Sequence, residues 1–190
     1  MSFTEDDYAA AAARLSVPVA AIEAVAEVEA GGATHWNIAG ALRPPVRLEA
    51  HWFGKLTGYR FNTSHPAISC TRWTPDLAAS TWGGAWAQVE AACALDEDAA
   101  LQAASWGAFQ IMGFHWKALG YASVQEMVAA METAGGQLGA FVRFVEADAV
   151  LVDALRRQDW HAFAGRYNGP GQVEHYAGRI AQAYARHGGE

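Results

Sequence analysis

The sequence is poor in charge, in cysteine and in long apolar runs, and each shortage removes a class of protein. Charged residues make up 17% of the 190, and no uninterrupted apolar run reaches the roughly 20 residues that a bilayer-spanning helix needs. The hydrophobic share of 52% is at the same time too high for a disordered chain. Basic residues number 13 against 20 acidic ones, a net charge of -7. Such a chain lacks the dense basic surface that neutralises phosphates, so no nucleic-acid partner is expected. Two cysteines, Cys70 and Cys93, are too few for a disulfide framework and read as free thiols. The opening "MSFTEDDYAAAAARL" puts three acids where a secretory leader needs positive charge, so it reads as a helix and not as a signal. Neither HExxH nor a Cys/His metal spacing occurs, nor a P-loop, nor G-x-S-x-G, and no metal or other cofactor is called for.

What is present fits one domain spanning residues 1–190, within the usual range of about 100 to 200 residues. An alanine-rich stretch to Leu15 is followed by "SVPVAAIEAVAEVEAGG", which predicts a helix capped by Ser16, with Pro18 early in it and Gly31 and Gly32 ending it. Residues 33–76 lose helical periodicity and gain Thr, Trp, Tyr, Phe, Pro and Asn, which predicts loops with one or two short strands or hairpins, the only β region. Helical patterns return over about 85–95, 97–104, 124–133, 137–147, 149–157, 159–166 and 173–186. Ser123 with Glu126 fits a capping box, Asp96 and Asp159 fit N-caps, and Gly135-Gly136 should separate two helices. The expected class is mainly α, an α+β fold with a small β excursion.

One glutamate stands out. At 3.6 residues per turn, Ile22, Val25, Ala26 and Glu29 share a face, so Glu29 lies on the apolar stripe, whereas Glu23 and Glu27 point away from it. A carboxylate that loses hydration in the last helical turn, at the negative end of the macrodipole, is pushed toward its protonated form. That property suits a general acid in glycoside hydrolysis; a partly exposed residue at a frayed helix end is the bland alternative. Two more segments bear on the choice. In "SWGAFQIMG", Gln110 is polar among Phe109, Ile111 and Met112, so it is expected either to bond internally or to face a ligand. "RYNGPG" sets Tyr167 and Asn168 ahead of a Gly169-Pro170-Gly171 turn.

In this order the three segments resemble the lysozyme superfamily: a helix-end glutamate before a small residue and glycine, then "S-x-G-x-x-Q-I", then "Y-N-x-G/P-G". Together with "LEAHWF", "SHPAI" and "SWGAFQIMGF", the resemblance narrows to the N-acetylmuramidase family of phage and prophage endolysins, over about residues 10 to 186. It implies a lysozyme-like fold with a glycan-binding groove. It implies cleavage of the β-1,4 bond between N-acetylmuramic acid and N-acetylglucosamine in bacterial peptidoglycan, with the family's catalytic glutamate at Glu29. Ser105, Gln110, Tyr167 and Asn168 then fall on segments that line the groove. Glu49 in "LEAHWF" matches the family's Glu-x-His pattern and is the one carboxylate between Glu29 and Asp76. It is either a second catalytic carboxylate, with His51 beside the substrate, or half of a structural Glu49–His51 pair. Inverting and retaining routes both stay open, as do a lytic transglycosylase and a non-catalytic peptidoglycan-binding module.

The tryptophans number eight. Among them Trp36, Trp52, Trp73, Trp82 and Trp106 offer stacking surfaces for sugars, most of them expected in the core. Residues 154–187 carry five arginines against Asp159 and Glu174, which raises a weak membrane-surface contact through Arg179, Arg186, Ile180, Ala183 and Tyr184; a core-packed terminal helix is the favoured reading of the same residues. A monomer without a separate wall-binding domain is expected. It would accumulate in the host cytoplasm and reach the wall once the inner membrane is opened.

Overall fold

Side-chain caps set the helix starts in the computed structural model, which describes residues 2–31 and 33–189. In α1 (Glu5–Leu15), Thr4 and Asp7 satisfy each other's backbone N–H groups, and the acids Glu5, Asp6 and Asp7 sit at the positive end of the helix dipole. Helix α1 ends on Ser16 in the left-handed conformation (φ 58°), so the serine expected to begin the next helix closes the previous one instead. Helix α2 (Val19–Ala30) starts from Pro18, whose ring holds φ near −60° and which supplies no side-chain cap. It stops at Gly31, whose φ of 59° is one that a side chain disfavours. The companion expectation for Gly32 lies outside the described residues.

The chain divides into two compact units, residues 1–34 with 134–190 and residues 35–133. In the first, α2 is apolar on nearly every side and forms the axis: Ala21, Ile22, Ala24, Val25, Ala26 and Val28 are all buried. Helices α1 and α10 (Val173–Arg186) pack directly on it, and α7 (Ala134–Glu146), α8 (Ala149–Arg156) and α9 (Trp160–Tyr167) follow in a chain of contacts that leads from α1 back to α10. Gly135 and Gly136 lie inside the first turn of α7, not between helices. At Gly135 a Cβ would come within 2.7 Å of an Asp7 carboxylate oxygen, so the glycine allows α1 and α7 to approach closely. The apolar residues of α10 face this core, with Ile180, Ala183 and Tyr184 buried. This is the core-packed arrangement favoured for these residues in the sequence. Among the described residues no single helix is long and apolar enough to cross a membrane.

The second unit holds a hairpin of β1 (Trp36–Ile38) and β2 (Ala41–Arg43), turned by Ala39 and Gly40, both at positive φ. A three-stranded antiparallel sheet follows the order β3 (Val46–Leu48), β4 (Ala104–Trp106), β5 (Ile111–Met112). Residues 33–76 are therefore not the whole β region: two of the three strands come from 104–112, where three-residue strands are too short to show alternation. Conversely, α3 (Ala50–Leu56) is a helix inside that stretch; its seven residues, with Gly54 and two aromatics, carry too little periodic signal to read. Helices α4 (Trp82–Cys93), α5 (Glu97–Ala103) and α6 (Val124–Ala130) complete the unit around Trp106, Phe53, Ala100 and Met127. Asp96, Ser123 and Asp159 cap their helices as expected. The Glu126 carboxylate, however, reaches the N–H of Ala122 and not that of Ser123. Both cysteines are free.

Two glycines mark where backbones meet. A Cβ on Gly113 would lie 2.0 Å from the Leu101 carbonyl oxygen, and one on Gly54 would lie 2.3 Å from that of Cys70. Nothing lies within 4 Å at Gly171. Gly113→Ala and Gly54→Ala are each expected to cost about 2 kcal/mol or more, because rigid main chain must shift. Gly171→Ala should stay near neutral; urea denaturation of the three variants checks the order.

Candidate active site

In the first unit the side chains converge on Glu29. It lies one turn beyond the buried Val25 and Ala26, half-buried itself, at the C-terminal end of α2. Loss of hydration pushes its pKa above the ordinary 4.5, opposed by a hydrogen bond from Asn168 and by the positive field of Arg179 on α10. Asn168 is the C-cap of α9, anchored through its N–H on the Ala164 carbonyl. Its Nδ2 donates to both oxygens of Glu29, at 3.2 and 3.0 Å. The Oδ1 of the same amide is buried with no hydrogen-bond partner among the described residues.

Tyr167 precedes Asn168 and backs the site with apolar surface. Its ring stacks on Phe163 at 5.5 Å and meets Phe141 and Phe144 edge-on at 5.9 and 5.7 Å. The enclosed phenol is driven well above its usual pKa, first by burial and then by the Glu29 charge. Tyr167 therefore acts as a neutral, low-dielectric wall beside Glu29. Glu27 is its opposite in every respect: exposed, paired with Arg186 and with His187, and held below the usual carboxylate range chiefly by the Arg186 hydrogen bond. The periodicity argument separated these two glutamates, whereas Arg179 escaped it because its effect is tertiary and arrives from a helix 150 residues away in sequence.

In the second unit, Glu49 is the N-cap residue of α3, though its side chain makes no cap bond. Its oxygens stand 3.6 Å from His51 Nδ1 and 3.9 Å from an Arg47 nitrogen. Ser105 is buried in β4, and its hydroxyl donates to Gln110 Oε1 at 2.9 Å, while Gln110 Nε2 donates to the Gly107 carbonyl. Ser105 thus offers no surface to a ligand and fixes the Gln110 amide instead. Gln110 is exposed and holds a left-handed backbone (φ 50°), a strain of roughly 1 kcal/mol or more for a residue with a side chain. Its amide bonds internally, the first of the two alternatives raised for it, while the residue itself stays exposed. Glu49 and His51 line one hollow, Gln110 lines a second, and Arg47 lines both.

Residues 18–188 match the N-acetylmuramidase family. The crystal structure of the Burkholderia AP3 phage endolysin is similar throughout, with 38% sequence identity and a TM-score of 0.89 over 98% of this chain and 72% of that one. Curated proteins give no match.

The raised pKa of Glu29 has a thermodynamic consequence. In the unfolded chain the group ionises at 4.5, and in the folded chain only at higher pH. Folding stability is therefore full below 4.5 and falls as pH climbs through the raised folded value. Glu29→Gln, which keeps the shape of the protonated form, is expected to melt above the parent at about pH 8, with the gap closing near pH 4. Equal melting temperatures at both pH values would contradict this.

Proposed function

Because the chain belongs to the N-acetylmuramidase family, and is thereby a glycoside hydrolase that degrades peptidoglycan, we propose that Glu29 is the general acid of the reaction. The bond it serves is then the β-1,4 linkage from N-acetylmuramic acid to N-acetylglucosamine. The observation that carries this reading is the environment of Glu29: desolvation is the largest influence on it, and its hydrogen-bond partner among the described residues is a neutral amide. With burial raising its pKa, the carboxyl donates its proton to the leaving glycosidic oxygen as positive charge develops on the sugar ring.

Asn168 suits both halves of the cycle. The Nδ2 group donates to the carboxylate that remains after proton transfer. By rotating, the same amide can present its unpartnered Oδ1 to the O–H of the protonated acid. Tyr167 supports the acid by keeping water and charge away from one side of it. Likeness to a phage endolysin supports synthesis in a host cytoplasm followed by action on the wall. Glu49 is the candidate for a second carboxylate, with His51 Nδ1 at 3.6 Å and Arg47 at 3.9 Å from its oxygens.

Glu29→Gln is expected to fold normally and to lose at least about 100-fold in lysis of permeabilised Gram-negative cells, the usual scale of a missing acid catalyst; undiminished lysis would remove Glu29 from the role. Mass spectrometry of digested sacculi should show reducing muramic acid ends, and 1,6-anhydro ends would assign a transglycosylase. Asn168→Ala removes the hydrogen bond that lowers the Glu29 pKa. The acid then stays protonated to higher pH, so the descending alkaline limb of the rate profile should move upward while the maximal rate falls.

A further inference from the structure

Two hollows of the second unit, described above by the residues in their walls, are parts of one trough. One wall is continuous chain from Val46 to His51, and the other is continuous chain from Trp73 to Trp82. The walls run in opposite directions, because residues 47–51 face residues 73–78 while 46 and 47 face 79–82. The Trp73–Trp82 wall is tied down by a 3-10 turn at Pro75–Leu77, by Gln88 Nε2 donating to the Leu77 carbonyl, and by Thr81 capping α4.

An indole stands at each end of that wall. Trp73 is 67% exposed, more than any other large apolar residue of the described chain. Trp82 is 40% exposed although its ring stacks on Trp36 at 4.7 Å, so one face is backed and the other is left open. Aromatic rings held outward against the hydrophobic effect, beside the polar lining residues Gln110, Glu49 and His51, are suited to sugars, whose rings present apolar C–H faces and polar rims. Midway along the trough is Arg47, in the wall of both hollows. Its side chain is 60% exposed, and its one ion pair among the described residues, with Glu49, is at 3.9 Å, too long and too wet to hold the guanidinium. A planar fork left open in this way suits a carboxylate.

We propose that this trough binds a stretch of peptidoglycan glycan, with sugar rings on Trp73 and Trp82 and Arg47 between them taking a carboxylate carried by the muramic residue. That carboxylate is either the lactyl acid of a peptide-free sugar or an acid of the stem peptide. The site rests on the reading of the chain as a peptidoglycan hydrolase and not on the assignment of Glu29.

The test measures binding, in the full chain carrying Glu29→Gln, to three probes: intact sacculi, sacculi stripped of peptides with an amidase, and neutral chitooligosaccharide. Trp73→Ala and Trp82→Ala should each weaken all three by about tenfold, the effect of losing one principal contact. Arg47→Gln should weaken the acid-bearing strands about tenfold more than it weakens chitooligosaccharide, with reduced salt dependence. Loss on stripped strands assigns the lactyl acid, and loss on intact strands alone assigns the stem peptide. Unchanged binding in both tryptophan variants, with native circular dichroism, would overturn the site. An Arg47→Gln effect equal on all three probes would overturn the carboxylate. Failure of the Glu29 reading shows separately, as residual lysis by Glu29→Gln alone.

Discussion

A carboxylate placed in the last turn of a helix that is otherwise buried on nearly every side is the constraint around which the first unit is built. Helix α2 has no polar face to turn outward between Ala24 and Val28 except at Glu27, which Arg186 and His187 at the C-terminal end of α10 hold. Glu29 therefore follows the apolar stripe inward and meets the desolvation and the negative helix terminus together. Everything near it keeps that environment dry: Tyr167 with its three phenylalanines on one side, and the length of α10 on the other. An enzyme that needs a protonated acid accepts a less stable ionised state there, and the compensation is the apolar packing of α2 itself.

The second unit solves a different problem. A glycan is long, polar at its rims and weakly apolar on its ring faces, so its recognition calls for open surface on rigid supports and not for a closed cavity. Short strands and one-turn helices give such supports. The β3–β4–β5 sheet fixes Arg47 outward through the buried–exposed–buried alternation of Val46, Arg47 and Leu48. Its β4–β5 turn strains Gln110 into position with Ser105 and Gly107 as braces. Gly113 lets that turn lie against the Leu101 main chain.

Legibility in the sequence followed the range of the interactions. Helices α5 and α9, which Asp96 and Asp159 cap, and α10, with its apolar stripe over 14 residues, were readable because the signals lie within four residues of each other. Glu29 was readable for the same reason: one helical face is a local property. The family resemblance then placed Tyr167 and Asn168 near it, but not what they do; only tertiary structure shows Asn168 straddling both oxygens and Tyr167 walled in. The errors were equally physical. Ser16 can cap a helix start, yet it also tolerates a left-handed closing position. Strands β4 and β5 are too short to display a period and exist because β3, more than 50 residues before β4, pairs with β4, which in turn pairs with β5.

The identity of the partner on Glu29 decides what the carboxyl can do. A guanidinium bonded to it in a dry site would lower its pKa by about 1 to 3 units and leave a permanent carboxylate, as Arg186 does for Glu27 at the surface. The amide of Asn168 favours the carboxylate too, but burial outweighs it, and the direction of the shift stays upward. Arg179 does carry a full charge toward Glu29, but its exposure on α10 lets solvent screen it, so its influence ranks last of the three. A neutral donor in contact and a cation held at a distance orient the acid without taking its proton away, which is the combination that a glycosidic proton donor requires.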